Sequence, residues 1–268
     1  MSKINKLIKG LFLLAKKPFL INNIIENEYV YKDAVLKKNP ALSNGFSMID
    51  LTTLLPNFNE VINPFSFLDG GSLITDLALL KGLVKQKENC TYFEIGTWRG
   101  ESVSNVAQHT KECFTLNLSD KALKNFGCNA EYISQQAFYS KNIKNVTHLK
   151  GNSFNFDFSP YYNKCDVIFV DGDHKYQSVL NDTKIAFKLL KDENSIIVWH
   201  DYASNPGAIR WDVLKGIYDG TPEIARPNLH CVSNTLCAIF TKQKIATIDS
   251  TKITPTKKFT VSIKADLL

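Results

Sequence analysis

FEIGTWRGESV, residues 93–103, begins as an apolar strand and ends as the first turn of a helix, with two glycines at the joint. A strand–glycine–helix unit of this kind is the building block of α/β proteins, whose strands stack into a parallel sheet. Gly96 lets the backbone turn sharply after the strand and lets a ligand approach the main chain. Gly100 opens the helix, whose free N–H groups favour a carboxylate or phosphate, and Glu94 sets a negative charge beside them. Position 98 is Trp and the glycines are four apart, so this is not the dinucleotide fingerprint. No Gly-Lys-Ser/Thr follows, so it is not a P-loop either.

Outward from this unit the same rhythm continues. Strands are expected at 91–96, 113–118, 146–150, 166–171 and 195–200. Helices are expected at 73–85, 101–110, 129–142, 175–191 and 206–219. Apolar strands alternating with helices predict a parallel sheet covered on both faces. Two further strands, 229–233 and 236–241, are separated by Asn234-Thr235 and read as a hairpin, which turns the last strand antiparallel. The expected fold is α/β: a doubly wound, mostly parallel seven-stranded sheet with an antiparallel last strand over residues 70–242. A helical N-terminal extension, 1–69, precedes it, and a Thr- and Lys-rich tail, 243–268, follows as a loose extension.

Within the extension, INKLIKGLFLLAKK (4–17) places Ile4, Leu7, Ile8, Leu11 and Leu14 at helical spacing among lysines, and Pro18 ends the helix. The expectation is that this stripe docks on the protein's own core; an anionic membrane surface or a partner subunit are the alternatives. The formal charge of +6 is uneven: residues 1–40 carry +5, residues 241–268 carry +4, and the 200 between carry −3. Nucleic-acid enzymes carry basic charge on the working domain, so a nucleic-acid partner is not expected. Six cysteines without metal-type spacing, no convincing secretory signal and no membrane-length apolar run point to a reduced, cytoplasmic protein, peripheral at most on a membrane.

Two more polar clusters end strands. Residues 167–176, VIFVDGDHKY, run from a buried strand into Asp171, Gly172, Asp173 and His174; the fifth strand ends in Trp199, His200, Asp201 and Tyr202. Ligands of doubly wound sheets bind at the carboxyl ends of strands, so all three clusters face one crevice. Asp173 is read as a cap of the following helix. Arg99 is read as a solvated helix-start residue, and His109, His148 and His230 as structural or exposed. Trp98 and Tyr176 are open to a cleft-lining or a packing role.

ExGxxxG at 94–100, VDGDH-x-Y at 170–176 and WHDY at 199–202 together resemble the class I S-adenosylmethionine-dependent methyltransferases, and among them sugar and small-molecule O-methyltransferases. The resemblance covers about residues 70–242 and implies S-adenosylmethionine as cofactor, held by Glu94, Gly96, Thr97, Gly100, Asn117, Asn152, Ser153 and Asp171. Asn117 and Asn152 depart from the family, which favours an acid at each position; an amide lacks the charge-assisted strength of a carboxylate. The resemblance further implies Asp171 and Asp201 as ligands of Mg²⁺ or another divalent cation. His200 is a third candidate ligand, although imidazole suits Mn²⁺ or Zn²⁺ better. With Asp171, His174 forms the expected catalytic pair, as the base that deprotonates a hydroxylated acceptor such as a sugar or glycan precursor. A homo-oligomer is compatible with this reading. The alternative is a non-catalytic cofactor-binding or scaffold protein; a dinucleotide-dependent oxidoreductase is disfavoured by the glycine spacing.

Overall fold

The computed structural model describes residues 2–25, 27–251 and 255–267. Its strands are β1 Ser47–Ile49, β2 Thr91–Ile95, β3 Glu112–Asn117, β4 Val146–Lys150, β5 Val167–Val170, β6 Ile196–Trp199, β7 Ala203–Asn205, β8 Ala208–Ile209, β9 Leu229–Val232, β10 Ala238–Phe240 and β11 Thr247–Ile248. Its helices are α1 Lys3–Lys16, α2 Asn22–Ile25, α3 Glu28–Lys38, α4 Leu51–Leu54, α5 Ile74–Lys85, α6 Glu101–Ala107, α7 Asp120–Asn125, α8 Ala130–Ser134, α9 Tyr176–Leu189 and α10 Trp211–Gly220.

The main sheet has the order β11-β1-β9-β10-β6-β5-β2-β3-β4. From β4 through β6 all neighbours are parallel, and β10 runs antiparallel to both β6 and β9. All seven expected strands are therefore present, and the antiparallel strand is slotted between β6 and β9. Strand order reverses at the β2/β5 pair, which opens a crevice there.

Two cores flank the sheet because successive strand side chains point to opposite faces. Phe93, Ile95, Ile168, Val170, Ile197 and Trp199 pack with Val179, Leu189 and Leu214 of α9 and α10. Tyr92, Val167, Phe169, Ile196 and Val198 pack with Leu80, Leu83, Val103 and Val106 of α5 and α6. Each fully buried side chain of this kind contributes about 1.5–3 kcal/mol. Five of the six cysteines are buried and none is bridged, which fits their use as small apolar residues.

The flanks depart from expectation. β1, from the extension, pairs in parallel with β9, and β11, from the tail, pairs with β1, so the sheet extends to nine strands. The tail is tied further by Lys257, which bonds Asp50 and reaches Asn234 at 3.1 Å, and by Phe259, edge-on to Phe58. Residues 252–254 and 268 of that tail lie outside the described residues. The helix expected at 129–142 is confined to α8, and the one expected from 206 begins at Trp211, because β7 and β8 form a small ribbon across Pro206-Gly207. The α1 stripe does not dock on the core: none of the helix's residues is buried.

Candidate active site

A cleft of about 1200 Å³ lies at the carboxyl ends of β2 to β6. Gly96, Thr97, Asn117, Asn152, Ser153, Asp171, His174, His200 and Asp201, nine of the residues singled out from the sequence, all line it. Glu94 and Gly100 do not. Glu94 has no exposed surface: Tyr92 Oη donates to it at 2.8 Å and Thr115 Oγ1 at 3.1 Å. Burial pushes its pKa up to about 8, against hydrogen bonds from Ser102 and Tyr92 that lower it. It braces the β2 end from inside the sheet and does not touch the cleft. A Cβ on Gly100 would sit 2.2 Å from Ser140 Oγ, so this glycine permits packing. Gly96 has φ +101°, and a Cβ there would lie 2.0 Å from the Asp171 carbonyl oxygen. Only glycine lets the ends of β2 and β5 close together, and that approach positions Asp171.

Asp171, His200 and Asp201 converge so that one ligand atom from each lies within 4.8 Å of the others. His200 Nδ1 is 3.1 Å from Asp171 Oδ1 and 3.2 Å from Asp201 Oδ2. Neither contact is aligned as a hydrogen bond, and this buried nitrogen has no hydrogen-bond partner. On the other side of the ring, Nε2 lies 3.0 Å from Asp76 Oδ2. Asp76, on α5, is fully buried and accepts backbone N–H bonds from Leu73 and Leu236 at 2.8 Å each. With Nε2 donating to Asp76, loss of the proton on Nδ1 would leave a lone pair there, able to ligate a cation shared with Asp171 and Asp201. The residues present therefore fit a divalent cation. Burial works against charge on His200, but Asp171, Asp201 and Asp76 outweigh it and raise its pKa.

His174 Nδ1 lies 3.0 Å from Asp201 Oδ2. Burial lowers the His174 pKa, but Asp201 and then Asp171 overcome this and raise it. Burial likewise acts to raise that of Asp201, yet His174 and His200 hold it far below the usual carboxylate range. Asp201 has φ +54°, a left-handed conformation uncommon for a residue with a side chain, and Arg210 approaches its other oxygen at 3.6 Å.

Several residues take roles the sequence left open or did not suggest. Asp173 does not cap the α9 backbone; its carboxylate accepts from Ser178 Oγ at 2.8 Å. Arg99 is buried, not solvated, and donates to the Asp69 carbonyl at 3.0 Å while pairing with Glu101 at 3.2 Å. It clamps the 68–71 loop over the cleft. Trp98 lines the cleft, its ring 4.2 Å from that of Tyr132. Asp182, on the same wall, is raised to about 6 by burial, against hydrogen bonds from Ser153 and Asn181. Asp76 was missed as well; its only signal is an acid inside the apolar run LITDLALL at 73–80.

The strand order and the crevice at its reversal are those of a doubly wound, mostly parallel α/β sheet. Residues 93–202, less than half of the chain, match the family described as a methyltransferase domain. A protein of Acanthamoeba polyphaga mimivirus, described as uncharacterized, is 30% identical over 121 residues, which cover 44% of this chain and 53% of that protein. The chain thus matches about half the length of that relative. Among solved structures, an O-methyltransferase from Bacillus cereus in complex with SAH is 18% identical, with a TM-score of 0.42 over 85% of this chain and 97% of that one. A SAH-bound methyltransferase from Podospora anserina is 19% identical, with a TM-score of 0.45 over 67% and 83%.

Proposed function

We propose that the chain transfers a methyl group from S-adenosylmethionine to a hydroxyl oxygen of a small acceptor, assisted by a divalent cation at Asp171, His200 and Asp201. The observation that carries this reading is the charge of the cleft wall. Among the described residues Asp69, Glu131, Asp171, Asp173, Asp182 and Asp201 line it, against Arg99, Lys175, His174 and His200. Such a wall attracts a cationic sulfonium and repels the pyrophosphate of a dinucleotide. Its volume exceeds the upper range for one drug-sized ligand, about 1,000 Å³, and leaves room for cofactor and acceptor together.

Bound S-adenosylmethionine supplies an electrophilic methyl carbon on a positively charged sulfur. The main chain at Gly96 and the side chains of Thr97, Asn117, Asn152 and Ser153 are the groups that hold it along the ends of β2 to β4. Asp171, His200 and Asp201 would hold a divalent cation, which would supply Lewis acidity to a neighbouring hydroxyl. His174 keeps one proton on Nδ1 against Asp201, which leaves Nε2 to take the acceptor's proton. The acceptor class we assign is a sugar or glycan-precursor hydroxyl, on the strength of the VDGDH-x-Y and WHDY elements.

Titration calorimetry with S-adenosylmethionine, S-adenosylhomocysteine and NAD tests the cofactor. Both sulfur compounds should bind and NAD should not; no binding of either at about 1 mM would sink the reading. His174→Ala should lower kcat while leaving the S-adenosylhomocysteine Kd within about threefold, since a base contributes to the chemical step. The second reading, a binding protein without catalysis, draws on Asn117, whose amide is engaged by Gln136, and Asn152, which accepts from its own Phe154 N–H at 3.0 Å. Cofactor binding without methyl transfer to any of a panel of sugars, with Mg²⁺ or Mn²⁺ present, would favour it.

A further inference from the structure

Among the described residues, α1 has an apolar face with no buried residue. Ile4, Leu7, Ile8, Leu11 and Phe12 are each between 58% and 69% exposed. At 100° per residue these five share one face, and Lys3, Lys6, Lys9 and Lys16 share the opposite one. Ser2 Oγ caps the first turn by accepting the Asn5 N–H at 3.3 Å, and Pro18 stops the last. The apolar surface continues beyond the helix through Phe19, Ile21, Ile24 and Ile25, all exposed. Residues 2–25 contain five lysines and not one acid.

We infer that this arm lies in the surface of an anionic lipid bilayer, with its apolar face among the acyl chains and its lysines at the headgroups. Charge complementarity selects this occupant. A second copy of the same arm offers no acid to pair with these five lysines, whereas an anionic leaflet attracts each of them. No helix among the described residues is long and apolar enough to cross a membrane, so the arm rests on the surface and does not span it. The arm leads into α3, where the Tyr31 ring lies 5.7 Å from that of Tyr176, two residues past His174. Docking therefore ties the bilayer to the end of α9 that borders the cleft, a placement suited to a lipid-linked acceptor.

Flotation of the full chain tests this with vesicles of pure phosphatidylcholine and with vesicles containing about 30% phosphatidylglycerol. The chain should float with the anionic vesicles, with at least about tenfold less recovered on neutral ones. Leu7→Glu combined with Leu11→Glu should abolish flotation while leaving the circular dichroism spectrum and thermal melt of the body unchanged, because neither side chain is buried. Failure to float with anionic vesicles overturns the proposal. So does equal recovery on both vesicle types. An arm-dependent dimer in sedimentation without lipid, lost in the same double variant, also overturns it by assigning the face to a second copy.

Discussion

His200 and Asp76 are 124 positions apart in the chain, and their Nε2 and Oδ2 atoms lie 3.0 Å apart in the interior. The contact joins β6 to α5 across the sheet face and orients the imidazole whose other nitrogen faces Asp171 and Asp201. Asp76→Ala removes the acceptor for His200 and for the Leu73 and Leu236 backbone N–H groups at one stroke. Loss of a buried, fully engaged carboxylate should cost about 3–5 kcal/mol in urea unfolding. Asp76→Asn keeps an acceptor oxygen and should cost less, yet weaken divalent-cation binding about 10–100-fold, the scale of a disturbed supporting ligand.

Cation removal separates two roles in the cleft. EDTA should abolish methyl transfer, and Mn²⁺ or Mg²⁺ should restore it. Asp171→Asn and Asp201→Asn should each lower kcat about 100-fold or more while S-adenosylhomocysteine still binds. Full activity in EDTA would leave His174 acting without a cation.

Glu94 gives a pH signature that stability measurements can read. Its pKa in the folded protein is raised to about 8 by burial, from an ordinary value of 4.5. Between these values the folded state binds a proton that the unfolded state has released, so this group lowers stability as pH rises through that window. Glu94→Gln removes the titration. The variant should therefore gain on the parent steadily as pH is raised from 5 to about 8 in denaturant melts. A gap independent of pH would mean that Glu94 is ionised in the folded state.

Gly96→Ala tests the close approach of β2 and β5. A methyl group placed 2.0 Å from the Asp171 carbonyl, at φ +101°, forces the two strand ends apart. The expected loss is about 3 kcal/mol or more, read as a lowered Tm. Gly127→Ala also has a positive φ but meets no atom within 4 Å, and it should cost less.

Much of this protein was legible in one dimension. Runs such as VIFV and IIVW are apolar on both faces, long enough for a strand and bounded by polar residues, so parallel strands follow from hydrophobicity alone. Because such strands end at a common sheet edge, Asp171, His174, His200 and Asp201 could be placed together without coordinates. β1 and β11 could not be read, since three and two residues carry no periodicity and become strands only where an open sheet edge accepts their backbone groups. Arg99 looks solvated in sequence because the 68–71 loop that covers it is brought there by the fold. Asp76 looks like a stray acid on an apolar helix, and only the packing of α5 against β6 gives it His200. Sequence by itself determined the layered sheet and the edge that carries chemistry, because both follow from local apolar patterning. Tertiary structure decided which side chain each polar group meets, because pairings between distant segments depend on packing that no local pattern records.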